Sequence, residues 1–542
     1  MTGKLSKTLD RCEIAAGAAM SLVAVFLHLR VVTHAGALWR DEISSLRLAH
    51  AIGTQEFWSC FGTDVFPPFY FLVLRCWVFL GLGFSDIAFR YFGFVIGVAL
   101  IAAIWITAYG KKRSAPLWPL ALLALTPLTF QCGNQLRPYG LAGIFVTLAF
   151  GAIWRVTCSD KFSKSAAIIA GLWTVLAVQT SYSNSLLIFA ICVAGIFASL
   201  RPGYSKRAVV ILLIGIIAAL SLAPYLFLFK GTHEWMALLP GSLHLSNVIG
   251  TLGVAAALGH PLTLIIWFIL PVIALAAFSV PSWRRKIRVA EIPAAAELQF
   301  ALVTFAVALL VTLTFFRWVN WLSYPRYFFL LLCVNAICLH RFAEVLRTRV
   351  VWRSINLVAA IVVAAMQLPN SYYDSSVRLT NCDLAAELVA ERAGPDDMVV
   401  LTAFYYGINF ERYYHGSAPW TSLPPIADYR WYRWDLAMQA MARPDPIREV
   451  LSRCEISLRS GHKVFLVGSL RNRPPQTQPT PLPPAPNIFT GWELQPYLKS
   501  WQDELGYFIE QHSTSGEQMP LEENQAVNEI DQVGVFAVSG WR

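Results

Sequence analysis

A series of apolar runs, each near the length that crosses a bilayer, recurs from about residue 13 to residue 369 and limits what this chain can fold into. The runs fall near 13–33, 87–109, 115–131, 138–156, 165–181, 183–200, 208–229, 257–280, 297–316, 325–344 and 350–368. Hydrocarbon offers no water to backbone N–H and C=O groups, so runs of this kind fold as helices. Only 14% of the residues are charged, against about 25% in a soluble globular domain. The expected fold is a polytopic α-helical membrane protein with about eleven transmembrane helices.

The net charge of +10 raises nucleic-acid binding as a function class, and the placement of the charges excludes it. The basic residues stand in short clusters between apolar runs: Lys4/Lys7/Arg11, Lys111-Lys112-Arg113, Arg155/Lys161/Lys164, Arg201/Lys206/Arg207, Arg284-Arg285-Lys286 and Arg341/Arg347/Arg349/Arg353. The intervening connections carry few cations. Cytoplasmic loops collect Lys and Arg, so the alternation puts the N-terminus inside and the C-terminal tail outside. It closes only if the short apolar stretch from Pro67-Pro68-Phe69-Tyr70 to Gly83, which contains Arg75, does not span. Residues 35–86 are therefore read as one long outer loop whose helices lie along the membrane surface. The basic N-terminus resembles a signal peptide, but no small-x-small cleavage site precedes the charged loop, and an uncleaved first helix is expected.

From about 370 the texture changes. Val399-Val400-Leu401 and Val464 to Val467 read as buried strands, and Val533 to Val538 as a last strand. Asp383 to Arg392 and Trp492 to Gln511 read as helices, with a proline-rich spacer from Arg473 to Pro486. The chain is thus expected to divide into a membrane part, 1–369, and an extracytoplasmic α/β domain, 370–542. Cysteines in the apolar runs, such as Cys132 and Cys333, read as small buried hydrophobes. Cys382 and Cys454 lie in the tail, where an oxidising compartment would permit a disulfide.

Four groups of chemistry-bearing residues fall on the expected outer side. Arg40-Asp41-Glu42 follows the first span, where paired carboxylates are costly and usually functional. A carboxylate held near an arginine is a general base for a hydroxyl nucleophile, and Asp41 equally suits the N-cap of a following helix. Arg137-Pro138-Tyr139 places an isolated guanidinium beside a tyrosine, a pairing that fits phosphate or a snorkelling anchor. Tyr324-Pro325-Arg326-Tyr327 puts a cation at a helix start, where the helix dipole also favours anions; an aromatic-belt anchor fits the same residues. His233 and Glu234 sit in another outer loop as weak candidates for substrate contact or a divalent metal, which the sequence leaves undetermined. Tyr405, Tyr406, Tyr413 and Tyr414 read as packing in the tail.

The order of these features resembles the GT-C superfamily of membrane glycosyltransferases, in particular its protein O-mannosyltransferase and aminoarabinose transferase branch (family 39/83-like). The resemblance rests on the carboxylate pair in a long outer loop, the Pro67-Pro68-Phe69-Tyr70 surface helix, a second span opening Phe84-Ser85-Asp86-Ile87-Ala88-Phe89-Arg90, and Arg137-x-Tyr139 between later spans. It implies transfer of a monosaccharide from a polyprenyl-phosphate carrier to an acceptor hydroxyl, with inversion, at the outer face of the inner membrane. It implies Asp41 as the catalytic carboxylate with Glu42 its neighbour, and Arg137, Tyr139, Arg326, Tyr327 and Arg40 facing the lipid phosphate. Some branches of the family use a divalent metal. The sequence departs from the pattern at Phe66, where relatives often carry Lys or His, and at Ser181-Tyr182, where many carry His-Tyr. Tyr182 is retained as a weak substrate contact, and the departures argue against an aminoarabinose donor. A flippase for lipid-linked sugars is the alternative from another class; it should show internal repeats and paired broken helices, and no repeat is visible.

Overall fold

The structure is a computed structural model. It describes residues 2–61, 66–108, 114–228, 244–279, 292–319, 323–344, 350–468, 477–485, 493–529 and 531–542. The chain divides into a helical unit (Met1–Val32, Val65–Phe227, Gly241–Ser375) and a second unit (Thr33–Asp64, Leu228–Pro240, Ser376–Arg542).

Among the described residues of the chain, 6 helices are long and apolar enough to cross a membrane: Ser6–His34, Asp86–Ala108, Tyr139–Cys158, Ala295–Val319, Pro325–Glu344 and Val350–Asp374. Shorter apolar helices, Lys164–Thr180, Asn184–Ser199, Leu245–Ala257 and Thr263–Ser279, occupy other expected runs or flank them. The run at 115–131 differs from expectation. It breaks into a wide turn, Leu120–Ala124, and a fresh helix, Pro127–Asn134, because Pro127 cannot continue the preceding ladder but suits a first helical turn. Side chains satisfy the freed carbonyls: Thr126 Oγ1 and Thr129 Oγ1 donate to Leu123 O (2.9 and 2.6 Å), Ser371 Oγ to Leu125 O (2.5 Å), and Gln367 Nε2 to Ala121 O. In an apolar surrounding such replacement is what makes a broken helix tolerable.

The cations expected on the inner side gather at one end of the helical unit. Arg353 is clamped by Asp10 and by Glu13 (Nε to Oε1, 2.6 Å). Arg341 pairs with Glu344 (3.1 Å) and donates to Thr107 O (3.1 Å), and Ser114 Oγ donates to Glu344 Oε1 (2.8 Å). Arg207 donates to Thr157 O and Ser159 O (3.2 and 2.5 Å), closing the carbonyl end of the Tyr139–Cys158 helix. Cations there complement the helix dipole as well as the unpaired carbonyls.

The second unit is built on a five-stranded sheet of order β2-β1-β3-β5-β4. The strands are β1 (Met398–Leu401), β2 (Trp420–Ser422), β3 (Val464–Gly468), β4 (Ser513–Met519) and β5 (Gly534–Trp541). β1, β2 and β3 are parallel; β5 runs antiparallel to β3 and to β4. β1 and β3 are buried along their whole length, as their unbroken apolar sequence requires, and pair Val399 with Phe465 and Leu401 with Val467. The helices Cys382–Arg392 and Leu494–His512 follow the expected ones closely. Cys382 and Cys454 are both buried free thiols.

Residues read from sequence as the start of a membrane-surface loop are instead tied to this sheet unit. Leu379 N–H donates to Ala35 O (3.0 Å), Asn409 Nδ2 to Leu38 O (3.0 Å), and the Tyr413 hydroxyl accepts from Leu38 N–H (2.8 Å). Arg47 pairs with Glu411 (2.7 Å) and Arg430 with Glu56 (2.9 Å). Gly36 makes the junction possible. Its φ of +68° suits glycine, and a Cβ there would lie 2.7 Å from the Arg378 guanidinium carbon.

Candidate functional site

In the sheet unit, the helix Arg40–Ala51 begins after the extended residue Trp39. Glu42, its third residue, is fully buried and accepts the Trp39 N–H at Oε2 (3.1 Å). An acid at this position reaches back to the cap residue and satisfies an otherwise orphaned donor. One expectation is corrected here: Trp39 rather than Asp41 is the cap residue, and Glu42 reaches back to it. Asp41 retains 22% side-chain exposure.

Arg40 is bracketed by acids. Its Nη1 lies 3.3 Å from Asp531 Oδ1, and its Nε lies 4.0 Å from Asp41 Oδ1. Aromatic rings surround the same guanidinium: Tyr405 at 4.6 Å, Trp39 at 5.8 Å and Tyr432 at 5.9 Å. A cation so bracketed has much of its charge balanced by the acids beside it. It serves to hold the two carboxylates. Burial pushes the Asp531 carboxyl up to about 6, with Asp41 acting the same way and Arg40 opposing. Burial likewise raises the Tyr432 hydroxyl, so it stays protonated.

The second cluster lies in the helical unit. Arg137 sits over the Phe66 ring (4.9 Å), and Phe66 meets Tyr139 edge-on (5.3 Å). Tyr139 opens the helix Tyr139–Cys158, and sixteen residues at 1.5 Å rise separate it from Arg155 by about 24 Å. The cluster is therefore at the end of the unit opposite the basic loops. Arg326 stands in the turn Pro325–Phe328, where proline supplies the first-turn geometry of the following helix. Its guanidinium lies over Tyr324 (5.0 Å) and Tyr327 (5.5 Å), and Tyr327 stacks on Phe316. The turn Pro325–Phe328 packs against the helix Pro127–Asn134, which leads into Arg137 and Tyr139.

The elements that carry Arg137 with Tyr139 and Arg326 with Tyr327 are thus neighbours, although about 190 residues separate the two pairs in the chain. Tyr182 packs edge-on against Tyr225, whose hydroxyl donates to Gln179 Oε1 (3.1 Å). His233 and Glu234 lie outside the described residues. Among the described residues, no group of three or more His, Cys, Asp or Glu is placed to hold a metal ion. Sequence reasoning missed Asp531, Tyr405, Tyr432 and Phe66. Asp531 is one acid in a polar tail, and nothing local marks it. Phe66 was visible as a departure from the family pattern, without its role as the face that carries Arg137.

No family model and no curated protein matches the chain. Among solved structures, the chain is similar to the crystal structure of ArnT from Cupriavidus metallidurans bound to undecaprenyl phosphate, at 14% identity over 84% of this chain and 92% of that one, with a TM-score of 0.48. It is also similar to the archaeal oligosaccharyltransferase AglB from Archaeoglobus fulgidus in complex with an inhibitory peptide and a dolichol-phosphate, at 10% identity over 83% of this chain and 69% of that one, with a TM-score of 0.49.

Proposed function

We propose that this chain is an inverting GT-C-type membrane glycosyltransferase that moves a monosaccharide from a polyprenyl-phosphate carrier to an acceptor hydroxyl on a glycolipid, lipopolysaccharide or protein. It would span the inner membrane about eleven times, with its N-terminus cytoplasmic and its α/β domain outside. The observation that supports the reading is the packing of the Pro325–Phe328 turn, which carries Arg326 and Tyr327, against the helix Pro127–Asn134 that leads into Arg137 and Tyr139. Two guanidinium groups and two phenols in an otherwise apolar bundle suit a lipid phosphate, whose oxygens guanidinium meets bidentately.

In this reading the acceptor hydroxyl attacks the anomeric carbon and Asp41 takes its proton. The bond from the anomeric carbon to the phosphate oxygen breaks, and negative charge collects on the leaving phosphate. Arg137 and Arg326 stabilise that charge, and such fixed groups commonly supply the largest catalytic contribution. Arg40 keeps Asp41 in place, and Glu42 fixes the helix start on which Asp41 stands.

The test is turnover. Purified protein in nanodiscs receives a polyprenyl-phosphate sugar with a hydroxyl acceptor, and released polyprenyl phosphate is followed. Release that requires Arg137 and Arg326 supports the reading. Transbilayer movement of intact donor without release would replace it with a flippase.

A further inference from the structure

The sheet unit carries a crevice unrelated to either cluster. The connection leaving β1 runs outward to β2, and the chain leaving β3 runs the other way, to β4 and β5. Connections that diverge from adjacent parallel strands leave an opening at their C-terminal ends, and ligands of open α/β sheets bind there. A cleft of about 1140 Å³ begins at that place, at Thr402, the residue after β1, and Gly468, which ends β3. It continues over β5 and β4, walled by the helix Leu494–His512.

Three features describe what it would hold. Thr402 is 3% exposed, lines the cleft, and its Oγ1 has no hydrogen-bond partner among the described residues. Its hydroxyl is shut off from solvent, so Thr402 shapes the floor of the cleft and does not itself meet a ligand. It lies against Gly468, whose φ of +137° suits glycine and whose missing side chain gives Thr402 its space. Second, the half-buried Phe536 ring lies across Gly516 on the neighbouring strand. A Cβ at 516 would come within 2.7 Å of the ring, so the glycine is what lets the ring lie there. Gln518 stands directly opposite Phe536 in the β4–β5 register. Third, the polar lining combines the amides Gln502, Gln518 and Gln532 with the acids Asp503, Glu510 and Glu529, against one cation, Arg542.

We infer that this cleft binds a neutral saccharide. Amides and carboxylates together pair with hydroxyls that both donate and accept. An aromatic face suits the apolar side of a pyranose ring. The excess of acids disfavours phosphorylated ligands. The volume slightly exceeds the usual range for a small-ligand pocket, which fits more than one sugar residue.

The experiment titrates full-length protein in nanodiscs, without donor, with chitotetraose and with maltotetraose, by calorimetry and saturation-transfer NMR. At least one should bind, and glucose 6-phosphate should not. Phe536→Leu should weaken binding by about tenfold, and Gln518→Ala by about fivefold. Gln518 is exposed, so its variant tests the site without risk to folding. Asp41→Asn should bind as the wild type does, which separates this site from the transfer reaction. Absence of binding by both tetrasaccharides, unchanged binding in Gln518→Ala and Phe536→Leu, or preference for the sugar phosphate would overturn the inference.

Discussion

Arg137 and Arg326 lie against aromatic rings, whereas Arg40 lies among rings and between two carboxylates. Rings stabilise a guanidinium through their quadrupole and leave its charge intact. Carboxylates cancel that charge and are themselves ordered by it. The first arrangement sets a guanidinium on an aromatic face. The second makes the cation a fixture that positions acids. Residue type alone does not distinguish them, since both are arginines beside tyrosines near helix starts.

The largest effects should come from breaking the aromatic-faced pair. Arg137→Ala with Arg326→Ala should lower turnover by about a thousandfold or more, and each single change by about a hundredfold. Steady-state release of polyprenyl phosphate measures this; a double variant with near wild-type turnover would place the phosphate elsewhere. Arg137→Lys keeps the charge and loses the planar fork, so it should fall between.

Arg40 should respond differently. If it is a fixture, Arg40→Lys should leave the apparent affinity for donor within about twofold while turnover falls about tenfold. A large rise in KM with unchanged kcat would return Arg40 to the phosphate. A smaller effect concerns pH. Burial raises the Asp531 carboxyl from 3.8 to about 6, so the folded state favours the protonated acid. The stability this contributes is full below the unfolded value and is lost as pH rises through about 6. Thermal melting should therefore fall between about pH 4 and pH 7 in the wild type, and Asp531→Asn should flatten that fall. Smallest is Glu42→Ala, which removes the reach back to Trp39 and should cost about 1 kcal/mol in denaturant unfolding.

Much of the helical unit was legible because hydrocarbon imposes length and composition, and among the described residues Arg207, Arg341 and Arg353 close the ends of such helices. The break at Leu125-Thr126 was not, since the carbonyls it frees are satisfied by Ser371 and Gln367, some 246 residues away. In the sheet unit, β1 and β3 announced themselves as unbroken apolar runs, while β4 did not. Its sequence, Ser513 to Met519, is almost wholly polar because it is an exposed edge strand. The aromatic-faced arginines were legible as isolated cations beside tyrosines. The pairing of Arg40 with Asp531 was not legible, because Asp531 arrives from the far end of the chain.

The central claim concerns Asp41, the half-buried acid beside Arg40. The decisive measurement is a single-turnover assay of Asp41→Asn with polyprenyl-phosphate sugar and acceptor, scored for donor binding and for polyprenyl-phosphate release. The account predicts binding within about twofold of wild type and release slowed by about a hundredfold or more. Release at the wild-type rate would contradict it.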